Sequence, residues 1–133
     1  MLEVKLSGCA IIKDDKILLL YRDDHKHYEF PGGKIEKNEN RRTTAKRETF
    51  EETGLIVTLE KYFGPYLIKN NSKNNGKRKI SHVYTANIID GKIKLENKFD
   101  HAKWILLEKY HKYKLAPNVR MFIEDYLSMT KLY

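Results

Sequence analysis

The chain has 133 residues, of which 41% are hydrophobic and 33% charged, with a formal net charge of +8 and one cysteine. That length predicts a single domain over residues 1–133, large enough to bury its own core. No apolar run approaches the roughly 20 residues that cross a bilayer, and one cysteine excludes an internal disulfide and a thiolate metal site.

Val4–Lys13 alternates in part and turns at Asp14-Asp15 into Ile17–Tyr21, a β-hairpin by pattern. Cys9 falls on the first strand and reads as a small buried residue. The opening MLEVKLSGCA lacks the basic start and long apolar region of a secretion signal, so a reducing, cytoplasmic setting is expected. Residues 22–28, RDDHKHY, form a polar loop leading to a short Glu29–Phe30 extension and a Pro31-Gly32-Gly33 turn. A helix follows, with Asn38 as its expected N-cap and Gly54 as the glycine that ends it. Ile56–Ile68 is strand-rich and interrupted at Gly64-Pro65. A basic loop then leads to Ile80–Ile89, with a turn at Asp90-Gly91. Lys103–Leu107 is a last short strand. Val119, Phe122, Ile123 and Tyr126 recur at i, i+3, i+4 and i+7, the mark of a closing amphipathic helix. The pattern is continuous, without linker or repeat.

The first helix carries the chemistry. It places Glu48, Glu51 and Glu52 at i, i+3 and i+4, so three carboxylates project from one face. Like charges at that spacing repel. Hard oxygen ligands beside a glycine turn suit a divalent cation, most naturally Mg²⁺ with Mn²⁺ as an alternative, because such ions bind through a few carboxylates and the phosphates of a substrate. A solvated acidic helix face is the plain alternative. Ala45, Thr49 and Thr53 form a narrow stripe of small residues beside the carboxylates, suited to close packing on a sheet, with Phe50 on another side.

Gly33, Glu39, Arg47, Glu48, Glu51, Glu52, Gly54 and Leu55 stand at the spacings G-x5-E-x7-R-E-U-x-E-E-x-G-U, where U is a bulky aliphatic residue. The pattern resembles the Nudix box, the signature of hydrolases that cleave a diphosphate linked to another moiety. One position departs: Thr49 stands at the first U. The resemblance implies an α/β fold, an α/β/α sandwich with a mixed β-sheet between helices. It also implies a catalytic set of Glu48, Glu52 and Arg47. Glu51 and Glu52 would be the principal metal ligands, Glu48 a ligand or general base, and the Gly33 carbonyl a further oxygen. Arg47 would orient Glu51 or Glu39 through a charged hydrogen bond, with Glu39 serving turn geometry. Many family members add a carboxylate from a loop outside the box. Glu96 and Asp100 are the candidates here, Asp100 preferred for its nearness to Trp104, and either also reads as a solvated loop acid.

Residues 29–36, EFPGGKIE, are similar to the corresponding run of MutT-type nucleoside triphosphate pyrophosphohydrolases, which convert 8-oxo-dGTP to the monophosphate. The segment LAPNVRMFI is similar to the one where those enzymes place a base-reading asparagine, and Asn118 matches it approximately. An amide suits a purine edge, and an asparagine before a helix also has the form of an N-cap. Arg22 and Lys34 read as phosphate contacts or as ordinary surface charges. His82 and His101 carry no assigned role. Other diphosphate substrates stay open: ADP-ribose, a dinucleoside polyphosphate or a diphosphoinositol phosphate. So does a catalytically silent nucleotide- or RNA-binding domain. Residues 69–79, KNNSKNNGKRK, hold five positive charges and no acid. They would steer phosphate-rich ligands or RNA, or simply form a soluble hairpin loop, and they lack aromatics for base stacking. No membrane partner is expected. The chain is read as a monomer or homodimer.

Overall fold

Asp14 and Asp15 both take left-handed backbone, φ 53° and 63°, the geometry of a two-residue hairpin turn that matches the twist of its flanking strands. They join β1 (Glu3–Lys13) to β2 (Lys16–Arg22), with Ile11 opposite Leu18. The structure, a computed structural model, describes residues 3–68 and 77–130. Next come β3 (His27–Glu29), β4 (Gly32–Lys34), α1 (Arg41–Thr53), β5 (Leu55–Ile68), β6 (Arg78–Gly91) and β7 (His101–Leu106), then a 3-10 segment at Leu107–Lys112 and α2 (Pro117–Thr130). Residues 69–76 of the basic loop lie outside the described residues.

The sheet runs β3-β2-β1-β6-β5, with β4 also paired to β1 and β7 to β2. β1 and β6 are parallel, the other pairs antiparallel, so the sheet is mixed. Adjacent strand residues face opposite sides, and here both sides are buried. Cys9, Ile11 and Leu18 pack with Ala45 of α1, Val57 and Tyr84. Ala10, Ile17 and Leu19 pack on the other side with Val119, Phe122 and Ile123 of α2. Unbroken apolar runs such as Ile17–Leu20 are what a strand covered on both faces requires. The chain is therefore an α/β/α sandwich. Phe122 is fully buried, edge-on to Phe30 and Phe63 at centroid distances of 5.6 and 4.9 Å.

α1 packs through small side chains. Thr44, Ala45, Thr49 and Thr53 are fully buried while Phe50 is 54% exposed. The Thr49 hydroxyl is buried with no hydrogen-bond partner among the described residues, so the departure at that box position has an energetic cost.

Several boundaries differ from expectation: His27–Glu29 and Gly32–Lys34 are short strands in place of part of the expected loop and turn. The N-cap is Asn40, whose side chain accepts from the Thr43 amide at 2.8 Å, not Asn38. Asn38 instead takes φ 72° in the preceding turn, a conformation asparagine tolerates. Asp90 and Gly91 do not turn. They extend β6, opposite Ile56 and Leu55, because Gly91 at φ 93° lets the strand end lie against the Gly54 carbonyl, where a Cβ would collide. Nor does Gly64-Pro65 end the strand; β5 absorbs it with a register shift between Phe63 and Tyr66. Gly54 does close α1 as expected, at φ 77°, its amide donating to the Phe50 carbonyl.

Candidate active site

The site forms where β4, α1 and the loop before β7 meet. Glu52 is its buried centre, 1% exposed. Its Oε1 accepts the Gly32 amide at 2.8 Å and its Oε2 the Lys98 ammonium at 2.8 Å. Burial dominates over both partners and pushes the carboxyl up to about 7. Burial also raises Glu48, with Glu51 adding like-charge repulsion. The Glu48 carboxylate lies against Gly33 so closely that a Cβ there would fall on it. A methyl at this position would displace the Glu48 carboxylate from where it lies.

Arg47 holds the flank. Its Nε and Nη2 bind the two oxygens of Glu39 at 2.6 and 2.9 Å, a bidentate fork, and Nη1 donates to Glu51 at 2.9 Å. Glu36 lies at 3.1 Å and Glu48 at 3.6 Å from the same guanidinium. The fork holds Glu39 down at about 2. Glu39 also accepts the Glu36 amide and the Thr44 hydroxyl, fixing the turn that enters α1. Glu51 is half exposed and engaged by Arg47, while Glu48 and Glu52 lie inward against the glycine turn.

Lys98 escaped the sequence reading. Its Nζ bridges Glu52 and Glu96, the latter at 3.4 Å. The loop carrying it folds onto the end of α1, the Lys94 amide donating to the Thr53 carbonyl and the Glu96 amide to the Glu52 carbonyl. These bonds satisfy carbonyls that a helix end leaves free. A lysine in ENKFD carries no local signal of this; only the loop's path does. Of the two loop acids, the fold brings Glu96 to the cluster. Asp100 instead accepts the Asp23 amide at 2.6 Å, bracing the 22–26 turn.

A cleft of about 410 Å³ opens above Gly32 and Gly33, with Phe30, Ser81 and Asn118 in its walls. A second hollow sharing both glycines is lined by Lys34, Arg47, Glu48 and Lys98. Asn118 is not an N-cap. It stands inside the first turn after Pro117, and its amide donates to the Ser81 hydroxyl at 3.0 Å. Arg22 is tied by Asp24 through two hydrogen bonds, 3.0 and 2.7 Å, outside both hollows. His82 and His101 are engaged by Tyr62 and Tyr28.

The donor set fits a hard divalent cation: oxygens alone, a buried acid near neutrality, a glycine that admits the backbone, and an ammonium standing against Glu52 where positive charge is demanded. A mixed sheet between two helices, with the acidic helix packed on one face beside a glycine turn, defines an α/β/α sandwich with an oxygen-rich site at one end. The chain belongs to the Nudix family, whose NUDIX domain matches residues 5–126.

It is 31% identical over 120 residues to an ADP-ribose pyrophosphatase from Methanocaldococcus jannaschii, covering 88% of this chain and 69% of that one. It is 40% identical over 57 residues to an 8-oxo-dGTP diphosphatase from Buchnera aphidicola, 40% of this chain and 44% of that one. The chain spans less than half the length of the first curated relatives it matches. Among solved structures, the MutT protein from Methanosarcina mazei Go1 shares the fold, with a TM-score of 0.83 at 23% identity, covering 98% and 96% of the two chains. Among the described residues, no helix is long and apolar enough to cross a membrane.

Proposed function

We propose that the protein is a Mg²⁺-dependent, Mn²⁺-tolerant hydrolase of the diphosphate linkage in nucleoside polyphosphates, a cytoplasmic pyrophosphohydrolase of the MutT type with 8-oxo-dGTP foremost among its (d)NTP substrates. The observation that carries this reading is the buried Glu52 beside Glu48 and Gly33, at the foot of a cleft that Asn118 lines.

Glu48, Glu51, Glu52 and the Gly33 carbonyl would hold the ion, which supplies charge neutralisation at the diphosphate and an acidified water. At about 7, Glu52 exchanges its proton at working pH, so the general base lies between Glu52 and Glu48. Arg47 locks Glu39 and Glu51 and thereby the pitch of α1 against the glycine turn. Lys34 and Lys98 line the hollow beside Glu48 and suit phosphate oxygens. Arg22 would have to exchange Asp24 for a phosphate. The Asn118 amide, at the apolar end near Phe30, suits the edge of a base.

A panel of nucleotides assayed with Mg²⁺ for pyrophosphate or phosphate tests this. The expected outcome is monophosphate plus pyrophosphate, with 8-oxo-dGTP turned over better than dGTP; equal turnover of the two removes the sanitation reading. ADP-ribose hydrolysis is the second reading, favoured by the Methanocaldococcus relative and by Lys79, which brings the basic segment's end into the cleft. The same panel separates it. A silent RNA-binding role would show instead as steeply salt-sensitive RNA binding without turnover.

A further inference from the structure

His25, His27 and Glu29 take no part in the chemistry above. Alternate residues of a strand face one way, so His27 and Glu29 share one side of β3, and the turn before it, where Lys26 takes φ 61°, brings His25 back beside them. Their ligating atoms lie within 4.8 Å of one another. His25 Nδ1 touches Glu29 Oε2, and His27 Nδ1 stands 3.4 Å from that same oxygen. Two donors held tetrahedrally about 2.1 Å from one ion are themselves about 3.4 Å apart. A separate observation points the same way: His27 Nδ1 is buried with no hydrogen-bond partner among the described residues. A buried nitrogen of that kind wants a proton acceptor or an ion. Burial also holds His27 below its ordinary range, keeping the imidazole neutral and its lone pair available. All three side chains line the cleft above Gly32 and Gly33 that Asn118 also lines.

We propose that His25, His27 and Glu29 form a second cation site, for one divalent transition-metal ion of the zinc class, in the wall of the cleft. Two imidazoles and one carboxylate suit Zn²⁺ rather than Mg²⁺, which takes oxygen ligands. Three protein ligands leave a coordination position open toward the cleft. The ion would pin the polar turn to β3 and complete the valence of His27 Nδ1. The acidic cluster on α1 shares none of these ligands, so the two sites are separable.

The test uses tag-free, chelator-treated protein titrated with Zn²⁺ by calorimetry and with Co²⁺ by visible absorption, for the parent, H25A/H27A, E29Q and E52Q. The parent and E52Q should each take up one Zn²⁺ and show the intense bands of low-coordinate Co²⁺. H25A/H27A should lose more than about a hundredfold in affinity, beyond what an outer-shell partner costs, and E29Q should weaken binding with the same loss of bands. Circular dichroism of the variants should match the parent, since His25 is 43% exposed and its removal opens no core. Mg²⁺ in excess should not displace the Zn²⁺. Absence of Zn²⁺ uptake by the parent, unchanged affinity in H25A/H27A, or loss of uptake in E52Q each overturns the proposal; the last would place zinc on the acidic helix.

Discussion

Metal uptake at Glu52 should be coupled to proton release, and the buried position of that acid sets the size of the effect. A metal ligand must be deprotonated, and burial raises the Glu52 carboxyl from 4.5 to about 7. The charged fraction is then about one-tenth at pH 6 and about nine-tenths at pH 8. Apparent affinity for Mg²⁺ should therefore climb about tenfold over that interval, with Glu48, also raised, adding in the same direction. Near pH 7 about half a proton should leave Glu52 for each ion bound. Calorimetry in two buffers of different ionisation enthalpy counts the protons directly. The same shift makes the metal-free protein less stable as pH rises. Between 4.5 and 7 the folded state binds more protons than the unfolded one, so stability falls through that window, by about 3 kcal/mol in all. E52Q, which keeps the volume without the charge, should remove the Glu52 share of the metal coupling and of this pH dependence. Metal affinity that stays flat from pH 6 to pH 8, with no proton released, would refute the reasoning.

Four further outcomes follow from particular contacts. G33A places a methyl on the Glu48 carboxylate and should lower kcat about a hundredfold with circular dichroism unchanged, since small misplacements at a reacting centre have effects of that order. R47K keeps the charge but loses the fork to Glu39, and should lower kcat/KM about 10–100-fold as a supporting partner does. N118A should leave kcat nearly unchanged and reduce discrimination between bases about tenfold in kcat/KM, read from competing nucleotides. T49V replaces an unpartnered buried hydroxyl by a methyl of the same shape and should stabilise the fold by about 1 kcal/mol in denaturant titrations, with activity unaltered.

Much of the architecture could be read from periodicity. The runs at Ile17–Leu20 and at Val119, Phe122 and Ile123 are apolar because each lies against packed neighbours, and that burial writes itself into sequence. The acidic face of α1 was readable for the same reason: helical spacing is local. What sequence could not give was decided by contacts between distant segments. Asn38 and Asn40 are equally good caps in isolation, and the bidentate Arg47–Glu39 pair, eight residues apart, selects the turn that makes Asn40 the cap. Gly91 looked like a turn because its positive φ serves close approach to Gly54, a neighbour remote in the chain. Lys98 and Glu96 reach the site only through the path of their loop, while Asp100, nearer Trp104 in sequence, is drawn off by the Asp23 amide.

The seam between α1 and the loop that follows β6 ties two events together. Glu52 lends its side chain to the acidic centre and its carbonyl to the Glu96 amide, while Thr53 receives Lys94. Fraying of that last helical turn would release the ammonium, the inner acid and its neighbour in one motion. Deuterium exchange at those two amides thus becomes a gauge of whether the catalytic edge is assembled, legible without substrate, and any ligand that grips Glu52 should slow both amides together.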